Sequence, residues 1–286
     1  MYKILRAGIL ILLFFLFADD ARAFTISPTR YLVTADPGTA QTVQLSIKND
    51  EGENKKFIIF VEGLEQTGNG SLIFQKDLDV AESWVQASQS SITLAPNAIT
   101  KINFVISVPK NTLPGSHYLG LAAEMVPEKA DTSVVSSRLF AILTLRVAGE
   151  VNESVSVEKW SGPAVTWKRD WPLVLQLQNN GNIDVPLKSE IIVRYQGKAL
   201  QTNDWILGNN LLIKSSRFLE KTISPPLFWP GRYEIQNKIY YGRSGQVVWG
   251  MNYVWYFPLW SIVTGIVVLF VIIFIYIKIR RRHVKI

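Results

Sequence analysis

Two tandem β-sandwiches, bracketed by an apolar segment at each end of the chain, are the fold class that this 286-residue sequence predicts. Three observations carry the prediction. Between positions 24 and 256, apolar residues recur with period two and show little sign of the helical 3.6. Turn-forming residues punctuate the same stretch at short intervals, and its second half repeats the motif order of its first.

The N-terminal segment comes first. Lys3 and Arg6 lead into the apolar run Gly8 to Ala18, and Ala21-Arg22-Ala23 offers the small side chains that a signal peptidase needs. The run holds 11 apolar positions, too few to span a bilayer as a helix, so residues 1–23 are predicted to be a cleaved signal peptide with the mature chain starting at Phe24. At the other end, Phe257 to Ile277 gives 21 residues without a charge, enough to cross about 30 Å of hydrocarbon. Lys278, Arg280, Arg281, Arg282 and Lys285 follow at once, so the 278–286 tail is predicted to be cytoplasmic, with a single crossing at 257–277 and the rest of the chain outside. Trp249, Tyr253, Trp255 and Tyr256 before the span and Trp260 at its start gather where rings favour the headgroup region.

Within 24–256, Val43, Leu45 and Ile47 alternate with Gln44, Ser46 and Lys48, and Ile102, Phe104 and Ile106 alternate with Asn103, Val105 and Ser107. Such alternation marks half-buried antiparallel strands. Leu139 to Val147 reads as a strand covered on both faces. Turns are predicted at Asp36-Pro37-Gly38, Gly68-Asn69-Gly70, Pro96-Asn97, Pro114-Gly115, Asn179 to Asn182 and Pro230-Gly231.

The repeat then orders the strands. Val43 to Asn49 followed by Phe57 to Gly63 corresponds to Leu173 to Asn179 followed by Ser189 to Gly197, each pair being a strand, an Asn-led turn and a strand closing on Gly. ITLAPN at Ile92 leads to Pro114-Gly115 as WILGNN at Trp205 leads to Pro230-Gly231. The expected organisation is an all-β chain of two tandem immunoglobulin-like sandwiches, 24–148 and a membrane-proximal 149–256, each large enough to bury a core without a disulfide.

The composition excludes more chemistry than it suggests. The absence of cysteine removes thiolate metal sites, cysteine nucleophiles and redox pairs, and His117 and His283 are the only imidazoles. Glycine-rich phosphate loops, HExxH and GxSxG are absent, so no catalytic residue, metal or cofactor is expected. Asp77 and Asp79 are the densest acidic pair but lack a third ligand for calcium and read as a solvated turn. The net charge of +7 reflects topology: the tail holds five basic residues and no acidic ones, whereas 24–256 holds 22 basic against 21 acidic. A nucleic-acid partner is therefore not expected. Within the exported part, the first sandwich is acidic by two charges and the second basic by three, which favours the second for any anionic partner. The candidate ligand-binding cluster is Trp167, Lys168, Arg169 and Trp171, close to Trp160, where aromatic faces flanked by bases could stack on sugars or bind an anionic polymer; the alternative is core packing.

Phe24 to Asp50, Glu65 to Phe74, Ile92 to Pro109 and Pro114 to Leu121 together resemble the peptidoglycan-binding domain of the WxL-interacting protein family, cell-surface proteins of Gram-positive bacteria. The layout of signal peptide, two sandwiches, one span and a basic tail is also similar. Leu119-Gly120-Leu121 departs from the paired glycines of that family, and the second sandwich matches it only through WPGRYEI and the closing aromatic strand. The resemblance implies non-catalytic binding of cell-wall glycan or of a surface protein. The alternatives are a membrane-tethered chaperone-like or scaffold module that binds protein strands, and an exported hydrolase.

Overall fold

The computed structural model describes residues 24–127 and 136–283, so the signal peptide expected at 1–23 lies outside the described residues. Among the described residues the chain is all-β apart from one 3-10 turn and a C-terminal helix. It divides into two compact units at Val147 and Ala148, and the short segments Leu64–Ile73 and Leu113–Ser116 belong to the second unit.

The first half comprises β1 (Phe24–Ser27), β2 (Arg30–Ala35), β3 (Ala40–Asn49), β4 (Lys55–Gln66), β5 (Leu72–Gln75), β6 (Val85–Ala87), β7 (Ser91–Leu94), β8 (Ile99–Ser107), β9 (Gly115–Met125) and β10 (Arg138–Val147). One sheet has the order β1-β3-β8-β6 and the other β2-β10-β9-β4-β5, with β7 also paired to β4. This is an immunoglobulin-type sandwich whose first strand is shared between the sheets. β1 runs antiparallel to β3; after the cis Ser27-Pro28 bond, β2 runs parallel to the last strand, β10. Alternation delivers the core: Leu45, Ile47, Phe57, Ile102, Phe104, Ile106, Leu121, Leu143 and Leu145 are all essentially inaccessible and form one continuous apolar cluster.

The second half comprises β11 (Val155–Ser161), β12 (Val165–Thr166), β13 (Trp171–Asn179), β14 (Leu187–Tyr195), β15 (Lys198–Ile206), β16 (Ser216–Ile223), β17 (Gly231–Tyr241) and β18 (Gln246–Tyr256). Its sheets are β11-β13-β16 and β12-β18-β17-β14-β15. The shared first strand recurs, since β11 is antiparallel to β13 and β12 is parallel to the last strand, β18. Its core falls into two clusters. Trp171, Leu173, Ile191, Val193, Tyr233 and Ile235 make one, and Leu175, Leu177, Leu187, Leu211 and Ile239 the other. Ser189 and Asn237, fully buried and hydrogen bonded at 2.6 Å, lie between them along β14 and β17.

The sequence repeat has an atomic counterpart in two asparagines. Asn49, at the end of β3, donates Nδ2 to the carbonyls of Glu53 (2.7 Å) and Leu94 (3.0 Å) and accepts the Glu51 N–H at 3.0 Å. Asn179, at the end of β13, donates to Ile183 (2.9 Å) and Leu211 (3.0 Å) and accepts the Gly181 N–H at 2.9 Å. Each side chain therefore serves the N–H two residues on and the carbonyl four residues on, and ties the turn to a distant strand or loop. This accounts for their burial despite their polarity.

Helix α1 spans Leu259–His283, two residues later than the span expected at 257–277, because Phe257 still continues the sheet and Pro258 starts the helix. Its stretch Leu259–Arg280 is long and apolar enough to cross a membrane, and the large apolar side chains of that stretch are exposed.

Candidate functional site

Among the described residues, no group of three or more His, Asp or Glu is placed to hold a metal ion. The residues singled out in the sequence do not converge. Trp171 is fully buried in the second core, its Nε1–H donating to the Lys168 carbonyl at 3.1 Å and its ring edge-on to Tyr233 at 5.6 Å. Trp167, Lys168 and Arg169 are exposed on the loop before β13. The four thus share no single surface, because period-two alternation in β13 turns Trp171 into the sandwich. Trp160 also packs inward, against both second-unit clusters.

Asp79 is structural as well. It caps the 3-10 turn Val80–Trp84, accepting from Ala81 N–H while Glu82 reaches back to the Asp79 N–H. It also pairs with His117 Nδ1 at 2.8 Å, and the His117 ring stands edge-on to Trp84. Burial pushes the Asp79 carboxyl up, but the His117 hydrogen bond, the Ala81 N–H, the His117 charge and the Tyr118 N–H together outweigh it and hold the carboxyl below its usual 3.8.

What does stand open is a stretch of β10. β2 covers only Ile142 to Val147, so Arg138 to Ala141 have β9 on one side and no strand on the other among the described residues. The Ile142 N–H donates to the Thr29 carbonyl at 2.9 Å, while the Ser137 carbonyl accepts from Met125 on β9. By the two-residue repeat, the N–H and C=O groups of Arg138 and Phe140 therefore face the open side.

Beside this edge, the outer face of the sheet carries an aromatic ledge. Phe140 of β10 stacks on Phe74 of β5 at 4.0 Å and 6°, and Phe60 of β4 meets Phe140 edge-on at 6.3 Å. Gly120 of β9 makes the stack possible, since a Cβ there would lie 2.5 and 2.6 Å from ring carbons of Phe74 and Phe140. Arg138 lies 5.0 Å over the Phe60 ring and is bonded to Glu62 and to Glu124. A cation held over an apolar ledge, next to unpaired backbone groups, offers directional bonds and side-chain contacts to an extended chain.

Several other edges offer no advantage over this part of β10. β1, β5 and β6 are 4, 4 and 3 residues long, no longer than the open stretch Arg138 to Ala141. β15 is 9 residues long, but it opens on Lys198, a bulge interrupts its register with β14 between Val193 and Arg194, and Asp204 pairs with Lys188. Such features discourage edge pairing. Sequence reasoning missed the β10 edge, and the only signal for it was Gly120 between two leucines, seen there as a departure from a family pattern.

No protein family's sequence profile matches the chain, and no curated protein does. Solved structures of similar fold include a chain of a chaperone–tip adhesin complex of CFA/I fimbriae biogenesis (12% identity, 80% of this chain and 98% of that chain, TM-score 0.47). Others are the Escherichia coli chaperone DraB (13%, 81% and 98%, TM-score 0.40) and the CsuC–CsuE chaperone–adhesion subunit complex of Acinetobacter baumannii (13%, 82% and 100%, TM-score 0.39). At these values the likeness carries no weight for what this chain binds.

Proposed function

We propose that this chain is an exported, non-catalytic binding protein, tethered to the cell membrane by α1 with its sandwiches outside and its basic tail in the cytoplasm, that holds an extended segment of a partner protein by strand addition. The supporting observation is the open stretch Arg138 to Ala141 of β10, where the backbone groups of Arg138 and Phe140 face outward beside the Phe60, Phe74 and Phe140 ledge. Strand addition draws its affinity from main-chain hydrogen bonds and its selectivity from contacts with alternate side chains, and this edge supplies both. The reading rests on that edge and not on the likeness to chaperones.

The test uses the purified full chain in detergent with ten-residue peptides of alternating apolar and polar residues. Binding is expected, and Arg138→Pro is expected to weaken it at least tenfold by removing an edge-facing N–H without touching the β9 ladder. Arg138→Gln separates the side chain from the backbone. Retention on isolated cell wall that is indifferent to Arg138→Pro, with no peptide binding, would instead favour the wall-glycan partner implied by the WxL-interacting resemblance.

A further inference from the structure

The outer face of the β12-β18-β17-β14-β15 sheet carries a second feature that strand addition does not use. β18 alternates strictly: Val254 and Tyr256 turn into the core, whereas Trp249, Met251, Tyr253 and Trp255 stay about half exposed on the outside. Phe257 prolongs this outer stripe and stacks on Trp255. Two residues then suffice to reach helix α1. Near the helix start, Phe228 and Trp229, both more than half exposed on the loop before β17, contact the ring of Trp260 at 5.8 and 6.3 Å. The aromatic surface of the second sandwich is therefore covalently continuous with the apolar helix.

Next to this stripe, Arg194, Tyr195, Gln196, Gly197, Gly231, Arg232, Glu234 and Tyr253 line a cavity of about 340 Å³. Gly197 and Gly231 both take positive φ, 78° and 145°, a conformation that favours glycine, so neither puts a side chain on the rim. The Arg232 guanidinium sits 4.8 Å over the Tyr253 ring. Neither arginine is in a salt bridge among the described residues, and the Arg194 Nε is buried without a hydrogen-bond partner. Glu234 is the single acid in the lining, so two guanidinium groups face one carboxylate. Arg232 pairs with Trp255 across the ladder, four residues before Leu259. At about 3.3 Å per residue along β18 and about 5 Å between strands, the Arg232 backbone lies within about 18 Å of the first helical residue.

We infer that this cavity binds the phosphate of an anionic lipid headgroup, with Arg194 and Arg232 as the phosphate ligands and Trp255, Phe257, Trp229 and Trp260 seated in the surrounding interface. The inference rests on α1 spanning the membrane. The chemistry fits: guanidinium groups bond phosphate oxygens through two N–H groups at once, and indole and phenyl rings favour the headgroup layer. A lipid is the occupant indicated because the chain itself places the cavity beside the span, with no linker to carry it away.

The test uses the full chain in mild detergent, with native mass spectrometry of lipids retained from equimolar phosphatidylglycerol and phosphatidylcholine. The wild type is expected to retain phosphatidylglycerol preferentially. Each arginine near a charged surface contributes about fivefold, so the Arg194→Gln/Arg232→Gln variant is expected to lose about 25-fold of the preference. Arg194→Lys/Arg232→Lys, which keeps charge but not the paired N–H geometry, is expected to fall between. Both variants alter side chains on the outer face of the sheet, Arg194 being partly buried, and an unchanged circular dichroism spectrum shows that the fold is kept. Lys278 and Arg280 are present in every sample, so the tail's own attraction for anionic lipid cancels in the comparison.

Equal retention of the two lipids, or a preference unchanged in the double Gln variant, would overturn the headgroup site. So would competition by soluble glycerol phosphate at the same concentration as the lipid, which would mark a site for free phosphate esters. Alkaline extraction of membranes provides the separate check on the span: release of the protein would remove the premise, whereas resistance with no lipid preference would refute the cavity's role alone.

Discussion

The two sandwiches share a strand order and differ in what fills them. Both split their first strand between sheets, both close on a strand that carries that split, and both pin the same turn with a buried asparagine. Yet the first holds one continuous apolar cluster, and in the second the Ser189–Asn237 pair separates two smaller ones. The difference teaches that topology here follows from alternation and turn chemistry, which both halves keep, and tolerates a polar interruption of the core. Such an interruption has a cost. Asn237 Nδ2 is buried without a hydrogen-bond partner, and an unsatisfied buried amide typically costs about 1–3 kcal/mol.

The shared element is also the strongest point of attack. Asn49→Ala and Asn179→Ala each strand carbonyls that the side chain had satisfied, and each is expected to destabilise its own unit by about 3 kcal/mol. Chemical denaturation of the full chain in detergent, followed by amide exchange of each unit, checks this; if either substitution lowered both units equally, the correspondence of the two turns would not extend to their energetics. Sharpening the contrast needs the opposite change. Ser189→Ala with Asn237→Leu joins the two second-unit clusters and is expected to stabilise that unit by about 1–2 kcal/mol while leaving the first unchanged. A loss of stability would mean that the pair is fully satisfied in solution.

The smallest effect concerns the Asp79–His117 pair, which has no counterpart in the second half. Because the folded Asp79 carboxyl is held below 3.8, its contribution is complete above that value and is lost as pH falls through the lowered folded value. The wild type should therefore exceed Asp79→Asn in stability at pH 7 by about 1 kcal/mol, the scale of a helix cap. The gap should close in acid below about pH 3.8. Thermal unfolding at pH 7 and pH 3 reads it directly, and a gap that widened in acid would contradict the sign.

Much of the fold was legible because it is local. Val43, Leu45 and Ile47 announce β3, Leu173, Leu175 and Leu177 announce β13, and the Pro-Gly pairs mark the entries to β9 and β17. The parallel pairing of β2 with β10 was not legible, since it joins residues over a hundred positions apart and leaves no periodic trace. The assignment of Leu64–Ile73 to the second unit is non-local in the same way. For the candidate site, composition pointed to the Trp167 to Trp171 cluster, but alternation turned Trp171 inward. The β10 edge depends on where a neighbouring strand stops, and that is a property of pairing and not of any one residue.

The join between β18 and α1 has a mechanical consequence. β18 is held along its whole length by eleven paired residues of β17 and runs on through only Phe257 and Pro258 into the helix. Tension between helix and sandwich is therefore loaded along the strand, so that the ladder's hydrogen bonds must fail together and not one at a time. The second sandwich is built to bear a pull at its C-terminal end, and an unfolding force applied there should exceed that for peeling the short β12 from the same strand.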